Sequence, residues 1–535
     1  MTWNQGTATD YLNLLDQLVQ VVTSRHLSTV AVNAAGTGYV AGDILGITGT
    51  GATSTHVAQI EVLTVGGSGE VATARVYTGG AYTVDPSTVV GNAATGGSGS
   101  SATFDLAFAE TGWTQRRRTQ VAVSATISAG GTGYAVSDTL TLVGGVQGNG
   151  GSAATFNVDS VSVGVVTAVT LVLAGQYEVP PGLSAVQVTG GGGSGALLNL
   201  TAANKTGDTV VVLTGDSGGA LADPVFAIKT YQGTDESTIN VTYNWALFMA
   251  TANSQVLPVH QLVNVTSGFN TSTNDGQITA SSTGDGCFVP LKTSDAFNLS
   301  WWISATGRRV HAVVKVQASG TTYYPQFSFG LLNPFGVASE LAYPACLIGP
   351  SDRKSVWYRD TNSLFGGVSE IIRRNNGPGF FWSAEGTWLQ FANGIITSNT
   401  SLSPSYNVSN TTPRTALWPL GYMQAHELTA DQNWEIASAL GFDNEDFTDV
   451  APTLIYRTPN TGGDLFPLFP LTITQGDAAT DFFRVLGEID GCFWFSTGGE
   501  AVASEDRLQQ AGVRYRLFQN GTRIQHHSYI AIRED

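Results

Sequence analysis

The side chains best placed by type and spacing to do chemistry lie in Gly215-Asp216-Ser217-Gly218-Gly219. A serine set among glycines is the local pattern of an acyl-transfer nucleophile, with backbone N–H groups on hand for an oxyanion hole. That chemistry also needs a histidine base and a carboxylate to orient it. Only His26 and His56 precede the serine. His56 sits in Ser54-Thr55-His56-Val57 and has no counterpart in the second copy of the repeat that contains it. The serine falls in a connector, not between two barrels. A tight turn in a Gly-rich chain is the favoured reading, and no catalytic residue is assigned.

Other constellations are equally short of a mechanism. Asp443, Glu445, Asp446 and Asp449 form an acidic knot without the central Gly and distal Glu of an EF-hand loop. His526 and His527 are adjacent on a stretch that reads as a strand, so they point to opposite faces. Cys287, Cys346 and Cys492 make no ligand spacing, and an odd number suits no disulfide framework. They read as small buried hydrophobes. No metal and no cofactor is expected. A net charge of −17 argues against nucleic acid as a partner, because no basic face is available to displace counterions. The one basic cluster, Arg116-Arg117-Arg118, reads as a solvated connector. No run is long and apolar enough for a membrane helix, and the N-terminus lacks the pattern of a signal peptide. The expectation is a soluble chain that is not exported by a leader.

The elements that would have to position any site are dominated by a repeat. Gly36-Thr37-Gly38-Tyr39 with Asp43 returns as Gly131-Thr132-Gly133-Tyr134 with Asp138. Gly80, Tyr82 and Pro86 return as Gly175, Tyr177 and Pro181, all at a spacing of 95 residues. Thr95-Gly96-Gly97 returns one residue early as Thr189-Gly190-Gly191. A fixed period with one deletion marks a duplicated unit. Within each unit a Gly paired with a nearby Tyr occurs twice, which predicts positive-φ corners covered by the ring. Asp43 and Asp138 would cap those corners through their side chains. One carboxylate per unit is too few for a calcium cage.

Ahead of the repeats, residues 7–23 carry a helical stripe: Tyr11, Leu14, Leu15, Leu18, Val19 and Val22. Thr7 and Asp10 have capping-box spacing. The stripe could pack on the chain's own sheets or dock on a neighbour. Tyr11, Leu14, Leu15, Leu18 and Val22 are taken as the assembly contact. Replacing Leu15 and Leu18 by Asp should then abolish assembly while leaving the C-terminal half folded. Beyond residue 203 short apolar, β-branched and aromatic runs predominate, and most of the tryptophans lie past residue 300. The fold class is all-β with one N-terminal helix, two tandem Gly-rich sandwich-like modules and a larger aromatic-rich antiparallel region. The divisions are 1–28 (helix), 29–109 (module 1), 110–120 (linker), 121–202 (module 2) and 203–535 (large β region, with room for two subdomains).

Several segments together resemble a family of structural proteins of tailed bacteriophages. They are Gly6-Thr7-Ala8-Thr9-Asp10-Tyr11-Leu12; Ala227-Ile228-Lys229-Thr230-Tyr231-Gln232 followed by Tyr243-Asn244-Trp245; and Gly307-Arg308-Arg309-Val310 flanked by Trp301-Trp302 and Leu347-Ile348-Gly349. Gly386-Thr387-Trp388-Leu389 and the closing stretch from Asp490 to Arg533 complete the set. In that family the helix leads directly into the main β domain, whereas here the duplicated units intervene. The units themselves resemble the Gly-Thr-Gly-Tyr modules of phage tail, fibre and baseplate proteins. The resemblance implies a multi-copy virion component at the tail, collar or baseplate, assembled in the host cytoplasm. It would partner other virion proteins and copies of itself, and it brings no enzymatic residues. The alternatives are a receptor-binding adhesin reading host-surface glycans and a capsid decoration protein.

Overall fold

The computed structural model describes residues 1–147, 152–204, 209–219, 221–230, 240–242, 244–254, 261–263, 266, 287–291, 298–318, 321–336, 343–350, 355–357, 376–382, 388–392, 414–418, 468–477, 482–496, 502–519 and 528–535. Among the described residues the chain is all-β apart from one helix, and its sheets are antiparallel. It opens with strand β1 (Thr2–Ala8) and helix α1 (Tyr11–Thr23). Asp10, not Thr7, caps the helix: its carboxylate accepts from the N–H groups of Leu12 and Asn13, both at 2.8 Å. Thr7 belongs to β1.

The first repeat folds as β2 (Arg25–Thr37), β3 (Ile44–Ile47), β4 (Thr53–His56), β5 (Gln59–Val65), β6 (Val71–Thr78), β7 (Ala81–Val84), β8 (Asn92–Thr95) and β9 (Ser100–Glu110). Strand β10 (Thr114–Arg118) follows. The second repeat folds as β11 (Gln120–Thr132), β12 (Thr139–Leu142), β13 (Val146–Gln147), β14 (Thr155–Ser162), β15 (Val165–Leu173), β16 (Tyr177–Val179), β17 (Val186–Thr189) and β18 (Ser194–Asn204). Strand order is β4-β7-β2-β9-β8-β3-β5-β6 in the first and β13-β16-β11-β18-β17-β12-β14-β15 in the second, the same path strand for strand. Each sheet folds over so that β6 packs on β2 and β15 on β11. Each closes on its own core, around Phe104 and Ile60 in one and Leu198 and Phe156 in the other.

Of the remaining strands, 240–242 with 355–357 and 252–254 with 261–263 make two small separate pairs, and most of the others form a three-layer body. Its middle sheet runs β1, 299–305, 309–318, 326–331, 345–348, 376–382, 388–392. Side chains on these strands alternate between two cores. Trp301, Ile303, Val310 and Ala312 meet α1 and a five-stranded sheet on one face. Trp3, Trp302 and Val313 meet Ile489, Trp494 and Phe518 of a C-terminal sheet on the other. Covering on both faces is why these strands read as nearly continuous apolar runs. Gly6 lets β1 approach: a Cβ there would stand 2.6 Å from Cζ2 of Trp301.

Two sequence boundaries move. Residues 1–28 are not a separate anchor, since β1 pairs along its whole length with 299–305. Residues 110–120 are not a linker, since β10 pairs with 210–214 as the edge of the five-stranded sheet. Arg117 is accordingly buried and Arg118 is ion-paired with Asp16 of the helix, so the basic cluster is not a solvated connector.

Candidate assembly surface

The helix face selected from the sequence turns inward. Leu14, Leu15, Leu18 and Val22 are buried in the same cluster as Trp245, Trp301 and Phe327 of the chain's own body. Tyr11 is partly buried beside them, and its carbonyl accepts from Trp245 Nε1 at 3.2 Å. Gln17 fixes the helix from its flank, accepting from Trp301 Nε1 at 2.7 Å and donating to the Thr7 carbonyl at 2.8 Å. The assembly contact assigned to these five residues is therefore corrected. Periodicity found the buried face, but the surface that buries it is supplied by the same chain.

Ser217 and the upstream histidines are not assembled into a triad. Ser217 is buried, and its Oγ lies 2.5 Å from the Leu221 carbonyl and 2.9 Å from Asp223 Oδ1. Its N–H donates to the same carboxylate at 2.9 Å. Gly218 and Gly219 both take positive φ, and Gly218 N–H donates to Asp216 at 2.8 Å. The arrangement is a self-satisfied turn seated on Gly307, whose carbonyl accepts from Asp216 N–H at 2.8 Å. His26 hydrogen-bonds instead with Thr111 and is pushed down to about 4, by burial first and then by the chain's amino terminus and Arg25. His56 stacks edge-on against Trp301, with centroids 5.2 Å apart. The acidic knot at 443–449 and His526-His527 lie outside the described residues. The three cysteines are buried and none forms a disulfide. Among the described residues no cluster of His, Cys, Asp or Glu could hold a metal, and no helix is long and apolar enough to cross a membrane.

The corners of the modules are built as their residue types require. Gly36, Gly80, Gly131 and Gly175 have φ between 61° and 69°. Tyr82 and Tyr177 lay their rings against the glycine two residues before, so a Cβ at Gly80 would stand 2.7 Å from the Tyr82 ring. The phenol oxygens accept from buried N–H groups, Ala58 to Tyr82 at 2.8 Å and Ala154 to Tyr177 at 2.7 Å. Asp43 accepts from Val40 N–H at 3.1 Å and from Ser98 Oγ at 2.7 Å. Asp138 accepts from the N–H groups of Ala135 at 2.9 Å and Gly192 at 3.0 Å. These donors, the Ser98 hydroxyl foremost at Asp43, hold both carboxyls below their usual range. Each aspartate ties the corner to the Gly-rich tail of its module.

What the sequence did not single out is the outer surface of the modules. Among the described residues, every exposed large apolar side chain except Met1 and Phe335 lies there. Two positions are apolar and exposed in both copies: Val84 with Val179, and Val89 with Leu183. They flank Pro86 and Pro181. The repeat could have revealed them, because Val84 recurs as Val179 at the 95-residue spacing and Val89 recurs as Leu183 one residue short of it. No family model matches the chain, and no curated protein is similar to it in sequence.

Proposed function

We propose that the chain is a multi-copy structural component of a tailed bacteriophage particle, associated with the tail, collar or baseplate. It acts by assembly: the helix is sealed inside the body, and the modules present exposed apolar side chains to neighbours. The observation that carries this reading is the concentration, among the described residues, of exposed apolar side chains on a duplicated module, with two positions shared by both copies. Scattered exposed apolar residues are ordinary on any protein, but their concentration, among the described residues, on one repeated unit favours interaction surfaces over chance. The alternative glycan-binding role separates by experiment. Purified chain that binds whole host cells while missing from purified particles would replace the structural reading with the adhesin. Quantitative mass spectrometry of purified particles should find the chain at a fixed multiple-copy stoichiometry.

A further inference from the structure

Module 1 meets the body along a seam of polar and charged groups. Its core is separate from both cores of the body, and among the described residues of the module only Ala81 of β7 joins the larger of them. One flank of the seam lies on β1. Gly79 N–H donates to the Trp3 carbonyl at 2.9 Å, and Gly80 N–H donates to Asn4 Oδ1 at 2.7 Å. His26 of β2 packs beside Gly79, with Arg25 and the chain's amino terminus near enough to repel a charge on it. Arg25 is itself paired with Asp85 at 2.9 Å and Glu110 at 3.6 Å. His56 of β4 meets the Trp301 ring, and among the described residues its buried Nε2 has no hydrogen-bond partner. The other flank faces the C-terminal sheet. Glu61 accepts from Arg514 at 2.7 Å and from Arg75 at 3.1 Å. Arg507 and Arg516 lie on Glu534 at 3.0 and 2.9 Å. Asp535 stands 3.6 Å from Arg514 and 3.8 Å from Arg75. The guanidinium groups of Arg507 and Arg514 stand 4.8 and 5.8 Å from the Tyr77 ring. Glu505 accepts from Arg516 through its carbonyl at 2.9 Å, while its carboxylate is taken by Lys315 at 2.7 Å. Glu61, Glu534 and Asp535 thus hold together the guanidinium groups of Arg75, Arg507, Arg514 and Arg516.

We propose that acid undocks module 1, which swings off the body about the neck where β2 and β9 enter side by side while its own core stays folded. At that neck Arg25 pairs with Glu110, and the Thr111 hydroxyl donates to the Ser24 carbonyl at 3.1 Å. Acid works in the same direction on both flanks. A proton on Glu61, Glu534 or Asp535 removes a negative charge from among the four arginines, so that Arg75 on the module and Arg514 on the sheet repel across the seam. A proton on His26 adds a cation beside Arg25 and the amino terminus, and one on His56 puts an unpaired cation against Trp301. Both histidines are held below their usual range: His26 is pushed down to about 4 by burial first and then by the amino terminus and Arg25, and His56 is lowered by burial. A depressed folded value means that the open form takes up the proton more readily. Docking is therefore complete above the unfolded value, near 6.5, and is lost as pH falls toward 4. Module 2 carries none of these groups. Register places Asn157, Thr170 and Val172 where module 1 has Glu61, Arg75 and Tyr77. Residues 121–202 contain no His, Lys or Arg.

Amide hydrogen exchange of the full chain, read by mass spectrometry as protection factors so that the intrinsic pH dependence drops out, tests the proposal. The Gly79 and Gly80 amides should lose about tenfold or more of their protection between pH 7 and pH 4, and regain it on return to pH 7. Ala58, whose N–H donates to Tyr82 inside module 1, and Ala154, bonded in the same way to Tyr177 in module 2, should keep theirs. Glu61→Gln should open the Gly79 and Gly80 amides already at pH 7. His26→Gln with His56→Gln should move the opening to lower pH. Constant protection of Gly79 and Gly80 down to pH 4 overturns the proposal. So does a loss at Ala58 in step with them, because the module then unfolds instead of undocking. A Glu61→Gln chain whose seam is as protected at pH 7 as the unaltered one, or a double histidine variant that opens at the unaltered pH, overturns it as well.

Discussion

At the scale of single residues, the corners of the modules show how local chemistry fixes local shape. Tyr177 is buried, and its phenol oxygen is the acceptor for the buried Ala154 N–H. Tyr177→Phe keeps the ring but strips that N–H of its partner, so it should cost about 1–3 kcal/mol in urea unfolding. No measurable change would mean that the corner is held by packing alone. His311 offers a test by pH. It is buried in the middle sheet near Cys492 and is pushed down to about 3, chiefly by burial and then by Arg309. Its folded value lies below the unfolded one, so its stabilisation is complete above the unfolded value, near 6.5, and is lost as pH falls toward 3. At pH 4 the cost is on the order of 3 kcal/mol. Melting temperature should therefore fall below pH 6.5, and His311→Gln should flatten that fall. Equal slopes in both proteins would contradict it. The Gly-Tyr-Asp corner was legible in the sequence because all its partners lie within one module. Ser217 misleads because a nucleophile is defined by residues distant in sequence, and here the turn satisfies its own hydroxyl.

At the scale of elements, α1 shows which half of an amphipathic pattern a sequence reveals. The spacing of Leu14, Leu15, Leu18 and Val22 gives the buried face, but nothing in the spacing says whose sheet covers it. The cover comes from strands nearly three hundred residues away, with Trp301 bonded to Gln17. Val21, also buried, falls outside the stripe and is recruited because the helix sits deep between layers. Leu15→Ala should accordingly cost about 2–5 kcal/mol of the whole chain's stability. Asp10→Ala should cost about 1 kcal/mol by leaving the N–H groups of Leu12 and Asn13 uncapped. Replacing Leu15 and Leu18 by Asp should unfold the body rather than spare it. A double variant that keeps its near-ultraviolet dichroism while failing to assemble would restore the docking role.

At the scale of the whole molecule, module 1 is locked to the C-terminal sheet by charges that no composition figure shows. Arg514 has no exposed side-chain surface and reaches Glu61 of β5 at 2.7 Å. Arg507 and Arg516 close on the buried Glu534 at 3.0 and 2.9 Å. Partners that come from positions 61 and 514 cannot be joined by any reading of local pattern. Arg514→Leu leaves Glu61 and Glu534 undercompensated and should cost about 3–5 kcal/mol, read by denaturant unfolding. A loss under about 1 kcal/mol would show that the clamp contributes little beyond an exposed ion pair. The duplication was legible as a period, and so was the β character of the body. Which copy is docked and which stays open was not, because that depends on Tyr77 against Val172 and on the arginines that meet only the first. The claim that joins these scales is that the chain works by being built into a particle in many copies. Quantitative mass spectrometry of purified particles tests it most directly. The account predicts the chain at a constant stoichiometry of several copies per particle, and its absence from particles of full infectivity would contradict it.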